Sequence, residues 1–286
     1  MMALVGAFVV IAATLGGFTI AGGHIPVLFH ISEFVTIGGV ALGGILISTP
    51  VKVIKATLAK MKLLLRKDPF DRALYLDALK LLYEFFQVAR KDGLVGVEGH
   101  IENPEKSTIF AKYAKVMEHH HAVEFFCDSM RLVIAGSVPP HDLEAMMDEE
   151  IDVHHHAEAA TVGAVQKVGD ALPGIGIVAA VLGIVVTMSA ISGPVEVIGE
   201  KVGAALTGTF LGVLAAYGFL NPLATGMEHL NDAESRFFYF FKSAVVASAK
   251  GFPPIVAVEF ARRAINADVR PTFAEMETAC TGKAKD

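Results

Sequence analysis

Residues 171–195 read ALPGIGIVAAVLGIVVTMSAISGPV, 25 consecutive residues without Asp, Glu, Lys or Arg between Asp170 and Glu196. About 20 such residues wound as a helix cross the hydrocarbon core of a bilayer. The same test finds 26 uncharged residues between Lys201 and Glu228, 32 before Glu33, and 18 from Phe34 to Val51. Four spans therefore come in two pairs. Between the pairs, residues 52–170 carry 15 Lys+Arg and 19 Asp+Glu, a composition that hydrocarbon would reject. The fold class expected is an all-α membrane protein with four transmembrane helices and a large helical cytoplasmic domain. Its divisions are residues 1–50 for the first two spans, 51–170 for the cytoplasmic domain, 171–222 for the third and fourth spans, and 223–286 for C-terminal helices and a tail.

The whole-chain balance agrees: 53% hydrophobic and 19% charged among 286 residues, with a mean hydropathy of +0.53. A net charge of −6 without a concentrated basic face argues against nucleic acid as partner. Of the 24 Lys+Arg, 23 lie in the central segment or after the fourth span, and the loops within the pairs hold only Lys201. The positive-inside rule then puts the polar mass and both termini in the cytoplasm. The first span opens at Met1 with no basic residue before it and is longer than a secretory apolar region, so it is expected to stay in the mature chain. Cys127 and Cys280 fall on the reducing side, where a disulfide is not expected and buried, inert thiols are.

Apolar residues at three and four spacing, as in Leu74, Leu79, Leu82, Phe85 and Phe86, predict helices through the cytoplasmic segment. A glycine-containing break is expected over residues 91–104, a second helical group over 109–134, and an acidic helix opened by Pro139 and Pro140. A long helix over 225–249, a break at 251–254, a short helix to Arg263 and a polar tail complete the chain. Pro173 and Pro222, at the cytoplasmic ends of the third and fourth spans, read first as helix termini and second as a hinge.

The interiors of the third and fourth spans hold no Asp, Glu, Lys, Arg or His, only the hydroxyls of Thr187, Ser189, Thr207, Thr209 and Tyr217. A proton relay needs a titratable group at membrane depth. If the chain moves ions, that group must come from another subunit, and these hydroxyls could only line the route. Each threonine taken alone reads as bonded to its own helix. Glu33, at the start of the second span, reads as an interfacial anchor. Gly39 and Gly43, and Gly208 and Gly212, have the four-residue spacing that lets helix backbones approach closely. Arg90, Lys91, Asp92 and Glu98 straddle a glycine break and read as a docking surface or as plain solvation. The triplets at His119 and His154 do not aim their rings at one face, so no metal site is expected of them. No nucleophile, base and oxyanion set or phosphate loop points to an enzyme.

Over nearly its whole length the sequence resembles the flagellar motor stator family MotA, within the MotA/TolQ/ExbB proton channel superfamily. The matching segments are SEFVTIGGVALG at 32–43, ENP at 102–104, MDEEI at 147–151 and GDALPGIGIVAAVLGIV at 169–185, then GTFLGVLAAYGFLNPLA at 208–224, PPIVAVEFARR at 253–263 and RPTF at 270–273. The resemblance implies a subunit of an ion-driven stator in the bacterial inner membrane, five copies surrounding a MotB dimer that supplies the membrane aspartate. It implies no cofactor beyond the conducted ion. By motif, Pro173 and Pro222 resemble the prolines that couple ion passage to movement, and Thr209 a channel-lining residue, with Tyr217 on the same route. Ala180 stands where sodium-driven relatives tend to have Thr, which implies protons. Arg90 and Glu98 resemble the charged pair that engages the rotor protein FliG. An ExbB/TolQ-like energiser, a sodium-driven stator and a non-conducting scaffold are the competing readings.

Overall fold

The structure, a computed structural model, describes residues 2–65, 69–189 and 191–282. Among them all regular structure is helical. Helices α1 (Met2–Ile20), α2 (Ile31–Ser48) and α3 (Val51–Leu64) are followed by α4 (Arg72–Asp92), α5 (Val95–Glu102), α6 (Ala114–Met117) and α7 (His120–Ala135). Then come α8 (Pro140–Met188), α9 (Val195–Ala215), α10 (Asn221–Ala249), α11 (Pro254–Ala264) and α12 (Phe273–Thr281). Four helical stretches, Met2–Ile20, Ile25–Ser48, Pro140–Met188 and Val195–Ala249, are long and apolar enough to cross a membrane. The expected all-α, four-span architecture is therefore present, and the chain is a multi-pass membrane protein.

The fold gathers into two units, Met1–Lys67 with Ala157–Leu230, and Asp68–His156 with Asn231–Asp286. The first, the membrane unit, has little interior. No residue of α1 is buried, so its apolar surface is left for lipid or other protein. One small core joins Ile37 of α2 to Leu172 and Ala179 of α8 and to Ala216. A second joins Val162 and Val165 of α8 to Ala224 and Met227 of α10, with Met61 and Leu64 of α3 packed against them. Lys60 of α3, 7% exposed, donates to Glu158 of α8 at 2.5 Å and fixes these two helices where the apolar region ends.

The second unit is organised around aromatic rings. Phe85, Phe110 and Phe126 meet edge-on or tilted, and Tyr75 stands edge-on to Phe237 and Phe240, all fully buried. Such ring pairs add about 0.5–1.5 kcal/mol each beyond the area they bury. Asp71 caps α4 by accepting from the Leu74 amide at 2.9 Å, and Gly93, at φ +79°, ends it in the left-handed region that favours glycine. Lys242 of α10 donates to both carboxylate oxygens of Asp148 of α8 at 2.6 Å. Cys127 and Cys280 are free, and burial pushes both thiols up to about 12, which leaves them inert.

Three local expectations are corrected. Pro173 and Pro222 do not end helices: α8 runs through Pro173, and α9 continues into α10 through a single π-helical turn, Ala216–Leu220. The break at 91–104 contains a two-turn helix, α5, seated by buried Val97 and Ile101. The tail contains α12, whose Thr272 and Glu275 form a reciprocal capping box.

The histidine triplets separate by face. The His119 ring packs on Phe70 and Phe237, with centroids 4.9 and 5.2 Å away. His154 stacks on Phe238 at 4.6 Å with Nε2 3.4 Å from Glu234, and His155 hydrogen-bonds Ser235. Among the described residues no three His, Cys, Asp or Glu side chains converge as metal ligands. Burial pulls His119 below the ordinary imidazole range, against the opposing pull of Glu234 and Glu118. The folded state therefore binds this proton less readily than the unfolded chain, and the stability from neutral His119 is lost as pH falls from about 6.5 toward the folded value. The unfolding temperature should fall between about pH 7 and pH 5.5, and His119→Phe, which keeps the ring contacts, should flatten that dependence. An equal pH dependence in the variant would contradict the assignment.

Candidate functional site

The site grows from a glycine-lined crossing of α8 and α9. A methyl group at Gly176 would lie 2.8 Å from the Gly208 carbonyl oxygen, and one at Gly212 would lie 2.5 Å from the Leu172 carbonyl oxygen. Further along, Gly183 meets Ala205 just as closely. The two backbones touch, which only glycine permits at these positions. The expectation of close packing thus holds within the chain for Gly208 and Gly212. Gly39 and Gly43 face open space, where a methyl would meet nothing in this chain within 4 Å.

The crossing holds Ala180 of α8 and Thr209 of α9, each against a glycine of the facing helix. The Ala180 amide nitrogen lies 3.3 Å from the methyl position of Gly208, and the Thr209 Cα lies 3.3 Å from that of Gly176. The threonines then divide. Thr187 donates to Gly183 and Thr207 to Gly203, each the carbonyl four residues back, and Ser189 donates to Val186. Thr209 makes no hydrogen bond among the described residues, so its hydroxyl is left for an external partner.

Pro173 and Pro222 shape the other end. Pro173 has no N–H to offer the Gly169 carbonyl four residues earlier. Gly169 is where the Asn221 side chain lodges, so closely that no Cβ would fit. The Asn221 Oδ1 is buried there without a hydrogen-bond partner. The Asn221 N–H donates to the Ala216 carbonyl, five residues back, and Pro222 follows with no donor at all. The π turn is the local answer to that missing donor, and such turns recur at functional sites. Tyr217 lies in this turn, 65% exposed. The ladder is thus interrupted in both helices, at neighbouring places.

The structure corrects the reading of Glu33. It is no interfacial anchor: it is 5% exposed, and its Oε2 reaches 2.5 Å from the methyl position of Gly208. Among the described residues neither Glu33 Oε2 nor His30 Nδ1, three residues earlier, has a hydrogen-bond partner, though both atoms are buried. Sequence reasoning puts Glu33 at the membrane interface and does not single out Asn221. A lone carboxylate between two uncharged runs was the available signal for the first, while nothing in the sequence marked the second.

Arg90 and Glu98 belong to the other unit. Both are exposed on either side of the Gly93 turn, and neither makes an ion pair among the described residues. Leu94 and Val95 between them are 38% and 75% exposed, a small apolar tip inside a ring of both charge signs.

Residues 4–93 match the model of the motility protein A N-terminal domain, and residues 114–238 that of the MotA/TolQ/ExbB proton channel family. The chain is 36% identical to motility protein A of Salmonella typhimurium over 97% of its own length and 94% of the relative's. The C. jejuni MotAB structure superposes with a TM-score of 0.76 at 18% identity, covering 93% of this chain and 96% of that one. The flagellar MotAB stator complex from Bacillus subtilis gives 0.71 at 20% identity, with 90% and 92% covered. Several segments that carry the resemblance hold the fold. Glu102 binds Arg131 at 2.9 Å, Met147 and Ile151 are buried, and Glu259 accepts from both Arg262 and Arg263.

The crossing should tolerate no added bulk. Gly212→Val should destabilise the detergent-solubilised chain by about 1–3 kcal/mol or prevent its folding, whereas Gly174→Val, with nothing within 4 Å, should leave its unfolding temperature unchanged. Thermal unfolding followed by circular dichroism distinguishes the two, and equal behaviour would contradict the packing described.

Proposed function

Because the chain belongs to the motility protein A family of MotA/TolQ/ExbB proton channels, we propose that it is a flagellar stator subunit. With a MotB-type partner it conducts protons across the bacterial inner membrane and turns their flow into torque on the rotor. The observation that carries this reading is the α8/α9 surface: touching backbones, no ionisable side chain from the span interiors of α8 and α9 themselves, and among the described residues an unbonded hydroxyl at Thr209. These two helices supply no titratable group of their own, so conduction along them draws on one from elsewhere, here the membrane aspartate of the MotB-type subunit. Ala180 adds a methyl where an oxygen would help to replace a sodium ion's water, so the ion is H+.

Five copies of the chain surround the partner dimer, which the open glycine face of α2 and α1, none of whose residues is buried, would serve. The polar unit and both termini face the cytoplasm. One proton crossing 100 mV releases about 2.3 kcal/mol, roughly four times thermal energy. That suffices to bias a two-state rearrangement. The interrupted helical ladders at Pro173 and Pro222 are where such a rearrangement would bend, since each lacks a backbone donor. Arg90 and Glu98 pass the movement to FliG through exposed charges, a contact that is weak, reversible and screened by salt.

Expressed with its partner in a bacterium lacking its own stators, the chain should restore swimming. Pro173→Ala and Pro222→Ala should each abolish swimming at unchanged membrane levels, and Arg90→Glu should lose most of it and regain it with a charge-reversed rotor. Swimming unaffected by either proline change would remove the coupling role, and failure of every rotor reversal to rescue Arg90→Glu would remove the rotor contact.

A further inference from the structure

Helix rise places Glu33 along the membrane spans. Gly208, which it touches, is seven residues beyond Lys201, the last charge before the fourth span, about 10 Å along the helix. Ala179, packed at the same place, is nine residues before the end of α8 at Met188, about 13 Å. Against a hydrocarbon core about 30 Å thick, the carboxylate sits more than a third of the way in rather than at the surface. The first turn of α2 reaches this depth because the α1–α2 connection, with its short helix Ile25–Leu28, packs against α9.

The surroundings decide what such a group can hold. The atoms nearest the Gly208 methyl position, after the carboxylate, are the Ala179 Cβ and the Ala180 amide nitrogen, and that amide belongs to the interior of α8. Its charged and hydroxyl neighbours are His30 and Ser32 of its own segment, and Oε2 has no donor among the described residues. Burial away from water disfavours the ionised form of such a carboxyl. Sodium would need several oxygens in place of its water, and a single carboxyl beside two alanines does not provide them. A proton needs one oxygen.

We propose that Glu33 is a proton-binding site of the chain's own at membrane depth, beside Ala180 and Thr209, which takes up and releases the translocated proton in series with the partner's carboxylate. Uptake forms one O–H bond on the carboxyl and release breaks it, with no other bond changed. His30, whose Nδ1 is buried without a partner, is the neighbouring group through which the proton reaches Glu33 from the α1–α2 side. Gly208 is required because any side chain there would displace the carboxyl. The proposal rests on the proton-conducting reading above, and its test separates the two.

Infrared difference spectra of the assembled complex with its MotB-type partner, in which the partner's own carboxyl is already an amide, report protonation whether or not ions flow. The native chain should show the C=O band of a protonated carboxylic acid at neutral pH, shifted in heavy water and absent in Glu33→Gln. With the native partner in liposomes, Glu33→Gln should lower proton flux by about a hundredfold, the lower end of what loss of a proton-transfer group costs, and Glu33→Asp should retain part of it. Should Glu33→Gln fail to assemble, Gly208→Ala carries the test: the displaced carboxyl should lose its band and the flux should drop. A band unchanged in these variants, or full flux in Glu33→Gln, would overturn the proposal while leaving the conducting reading intact. Absence of flux in the native complex, with the band present, would instead count against conduction.

Discussion

The contact of the α8 and α9 backbones at Gly176, Gly208 and Gly212 is the constraint on which the rest of the membrane unit depends. In hydrocarbon, helices gain nothing from apolar burial, so they associate through close packing and a few polar contacts. Three glycines let two helices meet with no side chain between them. That closeness sets Ala180 opposite Gly208, puts Thr209 at the edge of the crossing, and leaves a notch into which Glu33 of α2 fits. A larger residue at any of the three would part the helices and empty the notch.

The same economy appears at the other end of the crossing, with backbone donors in place of side-chain volume. Pro173 and Pro222 each remove one N–H from a ladder that lipid cannot repair. The π turn at Ala216–Leu220 and the Asn221 side chain lodged at Gly169 are the local responses. Helices weakened at neighbouring places, yet continuous through them, can bend without losing their remaining hydrogen bonds. The polar unit is built on the opposite principle. Its fully buried aromatic rings and its ion pairs from α8 to α10 make a conventional core, suited to carrying force rather than yielding to it.

Much of this was legible in the sequence, because charge-free runs and helical spacing are properties of single segments. The four spans, the helical polar segment and the packing role of Gly208 and Gly212 followed from them. What was not legible depends on partners distant in the chain. Glu33 looks interfacial by its place in the first turn of α2, and only the docking of the α1–α2 connection on α9 carries it inward. Asn221 is an ordinary polar residue until Gly169 lies beside it. Prolines ordinarily end helices, and Pro173 and Pro222 do not because the neighbouring helices hold the chain on either side. The α12 capping box, TFAE at 272–275, is a local signal present in the sequence itself, within a stretch whose polarity reads as tail.

The measurement that bears most directly on this account is proton flux through the purified complex in liposomes under an imposed potential, in sodium-free buffer and again with sodium added. Flux should not need sodium and should disappear when the partner's membrane aspartate is replaced by asparagine. Flux that appears only with sodium, or that survives the replacement, would contradict it.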